Sequence, residues 1–412
     1  MKQDEVDRAK DLFIWNERFF ALAGVWPLQS TYGKFAVWAI YYLLHIIMQT
    51  ADLISVFGDL ELVIQNLSES MLQVLIFIKL VVLRFSHKVK TLIKRVAEDI
   101  DAKHLDSPEE KEIYLTYNRM SKTFFKVWVT MGFITAIGYY LKPLQLQLES
   151  ASQNGTMPYV LAYRVRLFFE IKDPITYYLA WLYQAPVMYM GVWHTAAIGF
   201  LFSLVLHVCG QLSVLSFKIK HLNLQERQSK EAFRSIFKEI VVRHRKILEC
   251  VLDGSHFLNP SFFKVLIFFF STNRLAKDIN DIFGLILVEE LILSTVLIGL
   301  TCYAALVNID TAEGAEVFSF VLYGATLLFL VYGYCAAGEH LITESTNLYA
   351  AYYHCLWYNM PDYFKKQLII CMIGASRPIQ LTAGGIYTFS LVSFMGVVKT
   401  AAGYISMLRT MV

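Results

Sequence analysis

Seven stretches of this chain are each apolar enough to be read as a helix crossing a hydrocarbon layer, and that leaves little room for any other fold. A crossing takes ~20 apolar residues, and every backbone polar group must then be satisfied within the spanning segment itself. The stretches run from about Phe35 to Phe57, Leu67 to Phe85, Val127 to Leu144 (ending at Pro143), Ile175 to Cys209, Ile282 to Val307, Val317 to Ala337 and Leu381 to Met411. The second is the weakest, because Lys79 falls inside it. Charged types make up only 17 % of the 412 residues and the mean hydropathy is +0.46, whereas a soluble domain is roughly a quarter charged. The expected fold is therefore all-α, a seven-transmembrane helical membrane protein.

Polar stretches of helical composition, Ser86 to Lys122 and Lys218 to Lys246, separate some of the spans. Phe262 to Phe270 is apolar but broken by Lys264 and too short to cross, so it reads as re-entrant, interfacial or inserted. The first 34 residues carry charge and no apolar run before a cleavage site, so no removable signal peptide is expected.

Lys and Arg accumulate in cytoplasmic connections. They number 5 before the first span, 10 between the second and third, 12 between the fourth and fifth and 3 between the sixth and seventh. The alternate connections hold none, 4 and none. The rule puts the N-terminus in the cytoplasm and, after seven crossings, the C-terminus outside, opposite to G-protein-coupled receptors. The sequons at Asn66 and Asn154 both fall on the side this assigns to the exterior. Asn154 is the candidate glycosylation site; Asn66 lies too close to the second span.

Other function classes find little support. The net charge of +3 does not suggest nucleic-acid binding. The six cysteines form no CxxC pair, and none lies in a predicted outer loop, so neither a zinc site nor an extracellular disulfide is expected. His45, His194 and His207 lie in or near spans, but no HExxH, GxSxG or phosphate loop accompanies them. No catalytic residue, metal site or cofactor is predicted. A transporter would show internal repeats and broken helices meeting at mid-membrane. No such repeat is visible, and Glu289 and Glu290 are the exceptional charges in the fifth span.

The last span is the most informative. Arg377-Pro378 breaks the helix before it, and helix is expected to resume after Thr382-Ala-Gly-Gly. From there to Met411 is about 30 residues, or ~45 Å. Steps of three and four from Ser393 reach Gly396, Thr400, Gly403, Met407 and Thr410. This stripe is small or polar, with one large apolar residue toward its end. Either close helix packing or a water-filled path accounts for it. In the second reading Met407 is a hydrophobic constriction, and several copies of the helix must surround an axis, since one cannot enclose a pore. Lys399 lies one residue off the stripe.

The residues at this end resemble those of the insect odorant receptors. Gly338-Glu339 and Glu344-Ser345 look like that family's sixth-helix ending, Ala350 to Tyr358 (AAYYHCLWY) its aromatic stretch, and Phe394 to Leu408 (FMGVVKTAAGYISML) its seventh-helix ending. Gustatory receptors are near relatives, but Ile386 and Ser393 stand where their pattern has threonine and glutamine. The resemblance implies the insect odorant receptor fold and an odorant-gated, non-selective cation channel. A tuning subunit of this kind joins odorant co-receptor subunits in a tetramer whose four last helices line the pore. It implies a gate at Met407 and a polar pore mouth at Thr410. It also implies a plasma-membrane location, expected in a sensory neuron dendrite, with lipid and permeating cations as further partners. A ligand pocket in the outer half of the membrane would draw on Met71, Val74 and Leu75; Phe133, Ile137 and Tyr140; Tyr183, Val187, Tyr189 and Met190; and Phe318, Ser319, Leu322 and Tyr323. Such a wall suits small volatile or lipid-like molecules. The readings that compete are a gustatory receptor-like channel subunit and a membrane transporter.

The expected organisation is a cytoplasmic segment over 1–34, ligand-binding helices over 35–217 and a cytoplasmic helical region over 218–281. Spans five and six follow over 282–337, then cytoplasmic anchor helices over 338–380 and a pore-lining helix over 381–412. Arg245-Lys-Ile-Leu-Glu249 and Ala276-Lys-Asp-Ile-Asn280 resemble family segments that normally follow one another closely, so residues 250–275 are expected to be an insertion, loosely packed.

Overall fold

The computed structural model describes residues 13–100, 107–152, 159–221, 260–307, 314–355, 357–359 and 362–411. The helices are α1 (Ile14–Leu22), α2 (Tyr32–Ser55), α3 (Leu60–Phe85), α4 (His87–Ile100), α5 (Pro108–Ser152), α6 (Pro174–Tyr183), α7 (Ala185–Lys220), α8 (Pro260–Val307), α9 (Gly314–His354), α10 (Asp362–Ala375) and α11 (Leu391–Met411). Two short antiparallel strands, β1 (Thr382–Ala383) and β2 (Tyr387–Thr388), precede α11. Each of the seven apolar stretches lies wholly or largely in helix: on α2, α3, α5, α6 with α7, α8, α9 and α11.

α7 is the centre of the bundle. Over its most apolar stretch 94 % of the residues are buried, against 22 % for α2 and for α5, whose outward faces are left apolar as lipid-facing helices require. Lipid tails give apolar side chains no reason to leave them, so close approach and shape fit must hold such helices together. α5 and α7 show this directly. A methyl group on Gly132 would come within 2.4 Å of the Thr195 side chain, and one on Gly199 within 2.6 Å of the Phe125 ring. Each helix offers a glycine notch to a large or branched side chain of the other.

Several helices are far longer than a bilayer. α8 has 48 residues and α9 has 41, lengths of ~72 and ~62 Å at 1.5 Å per residue, against ~30 Å of hydrocarbon. Their joined ends pack beyond the apolar region with α10. There Phe269, Leu275, Tyr352, Leu368 and Cys371 are all buried, and the Phe269 ring meets Tyr352 edge-on at 5.9 Å.

Four expectations change. Residues 260–275 are the opening turns of the continuous helix α8, with Thr272 and Leu275 fully buried, so this part is neither loosely packed nor re-entrant. Residues 250–259 lie outside the described residues. Pro143 does not end the third span: α5 runs through it to Ser152. The proline removes only one amide donor, which the turns on either side of it tolerate. The fourth span is interrupted at Gln184, between α6 and α7. Within the N-terminal segment, α1 and the turn after it pack onto the bundle, with Phe20 and Trp26 buried against Phe200 of α7. The last helix starts at Leu391 rather than directly after Gly385, giving 21 residues and ~31 Å. Gly384 and Gly385 adopt φ of 58° and 74° and turn the chain between the two strands, and Phe389 N–H closes the hairpin on Leu381 C=O at 2.9 Å.

Candidate functional site

The hairpin before α11 is clamped by the segments that carried the family resemblance. Asn280 Nδ2 donates to Gln380 C=O at 2.7 Å, and its Oδ1 accepts from Thr382 N–H at 2.9 Å. Gly384 N–H donates to Gly284 C=O at 3.1 Å. From α9, Ser345 Oγ accepts from Ile379 N–H at 2.7 Å, and the Glu339 carboxylate accepts from Leu391 N–H at 3.0 Å. The first amides of a helix have no partner within it and attract negative charge. Glu339 supplies both at the start of α11, and Ser390 Oγ adds a second cap by accepting from Ser393 N–H at 3.1 Å. Gly338 lets the hairpin come close: a methyl group there would stand 2.1 Å from Phe389 C=O. The AKDIN, Gly-Glu and Glu-Ser segments thus share one task, fixing where the last helix begins.

α11 packs by one side only. Phe394 meets the Tyr332 ring of α9 edge-on at 5.4 Å, Val397 joins the main core, and Ala401 touches the cluster of Leu75, Leu293 and Leu297. The small stripe faces away from the chain. Gly396 and Gly403 have open space where a side chain would stand, and Thr400 is exposed, its hydroxyl donating back to Gly396 C=O at 2.9 Å. Ser393 is half-buried, with Oγ 2.9 Å from Ser390 Oγ. Val392, Met395 and Lys399 extend the exposed arc. The side chains of Met407 and Thr410 lie outside the described part.

The residues proposed for the outer pocket divide. Leu75, Tyr140, Val187 and Met190 are buried. Met71, Ile137, Tyr183 and Tyr189 are half-buried, and Val74 and Phe133 are exposed at 42 % and 49 %, on faces turned from the bundle. The Tyr140 ring stacks on Trp181 at 4.3 Å, and its hydroxyl donates to Trp181 C=O at 2.8 Å. Tyr189 donates to Phe19 C=O of α1 at 2.9 Å, so it is committed to the N-terminal helix. The side chains of Phe318, Ser319, Leu322 and Tyr323 lie outside the described part, as does Asn154 altogether. Asn66 is buried and donates to Gln49 C=O at 3.2 Å and to Asp52 Oδ2 at 2.9 Å, a position no glycan could share.

Sequence reading missed three polar features of the bundle. Lys79, Glu290 and His194 meet inside it, from α3, α8 and α7. Tyr114, His207, Gln211 and Thr272 form a hydrogen-bonded chain from α5 through α7 to α8, with Tyr114 Oη 2.8 Å from His207 Nδ1 and Gln211 Nε2 3.1 Å from His207 Nε2. Beside the connection between α2 and α3, the segment before α6 folds over both helices. Gln184 there holds both Tyr163 N–H and C=O, at 3.1 and 2.7 Å, and Arg164 Nε pairs with Asp52 at 3.1 Å. Asp173 caps α6 by accepting from Thr176 N–H at 2.9 Å, and that bond holds its carboxyl below the usual range. Among the described residues no cluster of His, Cys, Asp or Glu is placed to hold a metal ion.

A bundle of apolar helices with a long central span, a three-helix bundle of joined ends and a hairpin-mounted last helix defines a multi-pass helical membrane protein. The family model described as 7tm Odorant receptor matches residues 59–402, and the chain belongs to that family. Odorant receptor 13a of Drosophila melanogaster is 22 % identical over 430 residues, covering 94 % of this chain and 93 % of its own. An odorant receptor coreceptor of Ooceraea biroi is 27 % identical over 136 residues, covering 33 % and 28 %. The solved structure of the insect olfactory receptor OR5 from Machilis hrabei in complex with eugenol superposes with a TM-score of 0.74 at 12 % identity, covering 98 % of this chain and 100 % of that one. The fold is that of the insect odorant receptors.

Proposed function

We propose that this chain is the odorant-binding subunit of a ligand-gated, non-selective cation channel, assembled with odorant co-receptor subunits into a tetramer in the plasma membrane. The observation that carries this is the open side of α11. A stripe of Gly396, Thr400 and Gly403 packs against nothing among the described residues, which leaves it open to a neighbouring helix, lipid or water. Lipid gives no reason for exposed hydroxyls and bare backbone, whereas a hydrated path does.

In this reading the N-terminus is cytoplasmic and the C-terminus extracellular, Ser393, Gly396, Thr400 and Gly403 line the path, Met407 closes it and Thr410 forms its mouth. Odorant bound among the outer halves of α3, α5, α7 and α9 must favour the open arrangement over the closed one to shift the population. α3 and α8 both touch α11 through the Leu75, Leu293 and Leu297 cluster, so displacement of α3 reaches the pore helix in one step.

The test is expression with and without a co-receptor, recording current against an odour panel, together with Met407→Ser. The reading expects evoked current that depends on the co-receptor, and raised basal current when the apolar constriction is made polar. Evoked and basal currents unchanged by Met407→Ser would remove it as the gate. Accumulation of labelled odorant in vesicles without current would favour a transporter instead.

A further inference from the structure

Beside the connection between α2 and α3, polar side chains are buried with no hydrogen-bond partner among the described residues. His45 and Gln49 are 0 % exposed and lie one turn apart on the inner face of α2. Both ring nitrogens of His45 and both amide heteroatoms of Gln49 are without a protein partner. So is Oδ1 of Asn66, whose Nδ2 is already used on Gln49 C=O and Asp52. Buried polar groups are nearly always paired, because each one left alone costs its full desolvation penalty. Five such atoms on three neighbouring residues concentrate unmet hydrogen-bonding capacity at one place in the bundle.

The surroundings are built rather than open. Tyr163 stands perpendicular to the imidazole at 6.0 Å, and Tyr183 lies at 6.3 Å. The loop carrying Tyr163 is fastened across the top: Arg166 N–H donates to Met48 C=O at 3.2 Å, Arg164 N–H to Glu69 at 3.1 Å, and Arg164 Nε pairs with Asp52 at 3.1 Å. The unpaired set therefore lies beneath a tied-down lid, beside the outer halves of α3 and α7.

We propose that His45, Gln49 and Asn66 form a recognition site for a neutral hydroxyl, so that this receptor's preferred ligands are alcohols or phenols. The proposal deepens the odorant-binding reading and rests on it. A neutral imidazole offers one donor and one acceptor, the glutamine amide offers both, and Asn66 Oδ1 accepts. A hydroxyl can accept from one of these and donate to another. An ether, ester or ketone can only accept and leaves Gln49 Oε1 and Asn66 Oδ1 unmet. A carboxylate also only accepts, and would bring its charge next to Asp52 and Glu69. The carbon skeleton would then rest on the Tyr163 and Tyr183 rings.

The test uses isomeric pairs that differ only in the hydroxyl: 1-octanol against heptyl methyl ether, and 2-phenylethanol against benzyl methyl ether. The chain is purified with its co-receptor, and affinity is read from the shift of the thermal midpoint with ligand concentration. At least one alcohol should bind about tenfold or more tighter than its ether, the discrimination expected when a site's polar atoms lose their partner. Gln49→Met should cut that alcohol's affinity about tenfold and leave the ether within about twofold. His45→Phe should do the same, and the wild-type ratio carries the test even where that variant does not fold. Equal affinity for alcohol and ether, binding of neither, or a preference that survives Gln49→Met overturns the proposal. The same pairs applied to the channel separate the two readings. Alcohol binding without evoked current counts against the channel and supports the site, whereas currents indifferent to the hydroxyl overturn the site and leave the channel reading in place.

Discussion

The ammonium group of Lys79 on α3 is paired with the carboxylate of Glu290 on α8, both side chains 4 % exposed, and His194 Nε2 of α7 lies 3.6 Å from the second carboxylate oxygen. Three spans of the bundle are thus joined at one ionic contact. Breaking a buried pair by removing one partner costs about 3–5 kcal/mol, while replacing both by apolar groups is often nearly neutral. Lys79→Met alone and Glu290→Met alone should therefore lower the thermal midpoint of the purified protein and its surface expression. The double variant should recover most of the loss. Losses that simply add would show that the two charges do not depend on each other.

The clamp on the last helix makes a sharper prediction. Gly338→Ala places a methyl group against Phe389 C=O, where the backbone must move to admit it. Evoked current should be lost while the receptor still reaches the surface, because the hairpin and not the bundle is displaced. Glu339→Gln keeps an acceptor for Leu391 N–H but gives up the charge, and should cost less than Glu339→Ala, about 1 kcal/mol as for other lost helix caps. Dose–response curves for the three variants at matched expression decide it. Wild-type currents from Gly338→Ala would mean that the hairpin does not set the position of α11.

Substituted cysteines can read which side of α11 meets water. Gly396→Cys, Thr400→Cys and Gly403→Cys should react with a small charged thiosulfonate applied from the aqueous side during channel opening, and reaction should change the current. Val397→Cys, turned toward the core, should not. Equal protection of all four would mean that the stripe lies against lipid or another helix.

How much of this was legible in the sequence follows from the range of each signal. Hydropathy sums over twenty residues, and each of the seven apolar stretches it marks lies wholly or largely in helix. Spacing along one helix was enough to find the stripe from Gly396 to Gly403. The starting point of α11 is five residues later than expected because Ile386 to Ser390 is as apolar as the helix, and only the two left-handed glycines and the bond from Phe389 to Leu381 make it a hairpin. Lys79 looked like a weakness in its span because its partner lies 211 residues away. The close packing of residues 260–275 was not legible, because the spacing between the family-like segments on either side says nothing of what the intervening side chains touch. The outer pocket was the least legible: helix periodicity does not say which face turns inward, and Val74 and Phe133 are exposed.

The native thiols respond to pH in a way that checks the packing of the joined helix ends. Cys371 of α10 is fully buried, and burial pushes its thiol up to about 12 from an ordinary 9.0, outweighing the contact with Tyr352 that lowers it. Only the thiolate alkylates. At pH 9 an ordinary thiol is half ionised, while one titrating near 12 is ionised to about one part in a thousand. Cys371 should therefore stay unmodified by a permeant maleimide at pH 9 in the intact receptor, while an exposed Thr400→Cys in the same sample is consumed. Its labelling should appear together with unfolding when the sample is heated. Mass spectrometry of the digested protein reads both sites at once. Fast modification of Cys371 in the folded receptor would show that α10 opens away from α9 and α8, and the fixed platform that holds the hairpin would have to be abandoned with it.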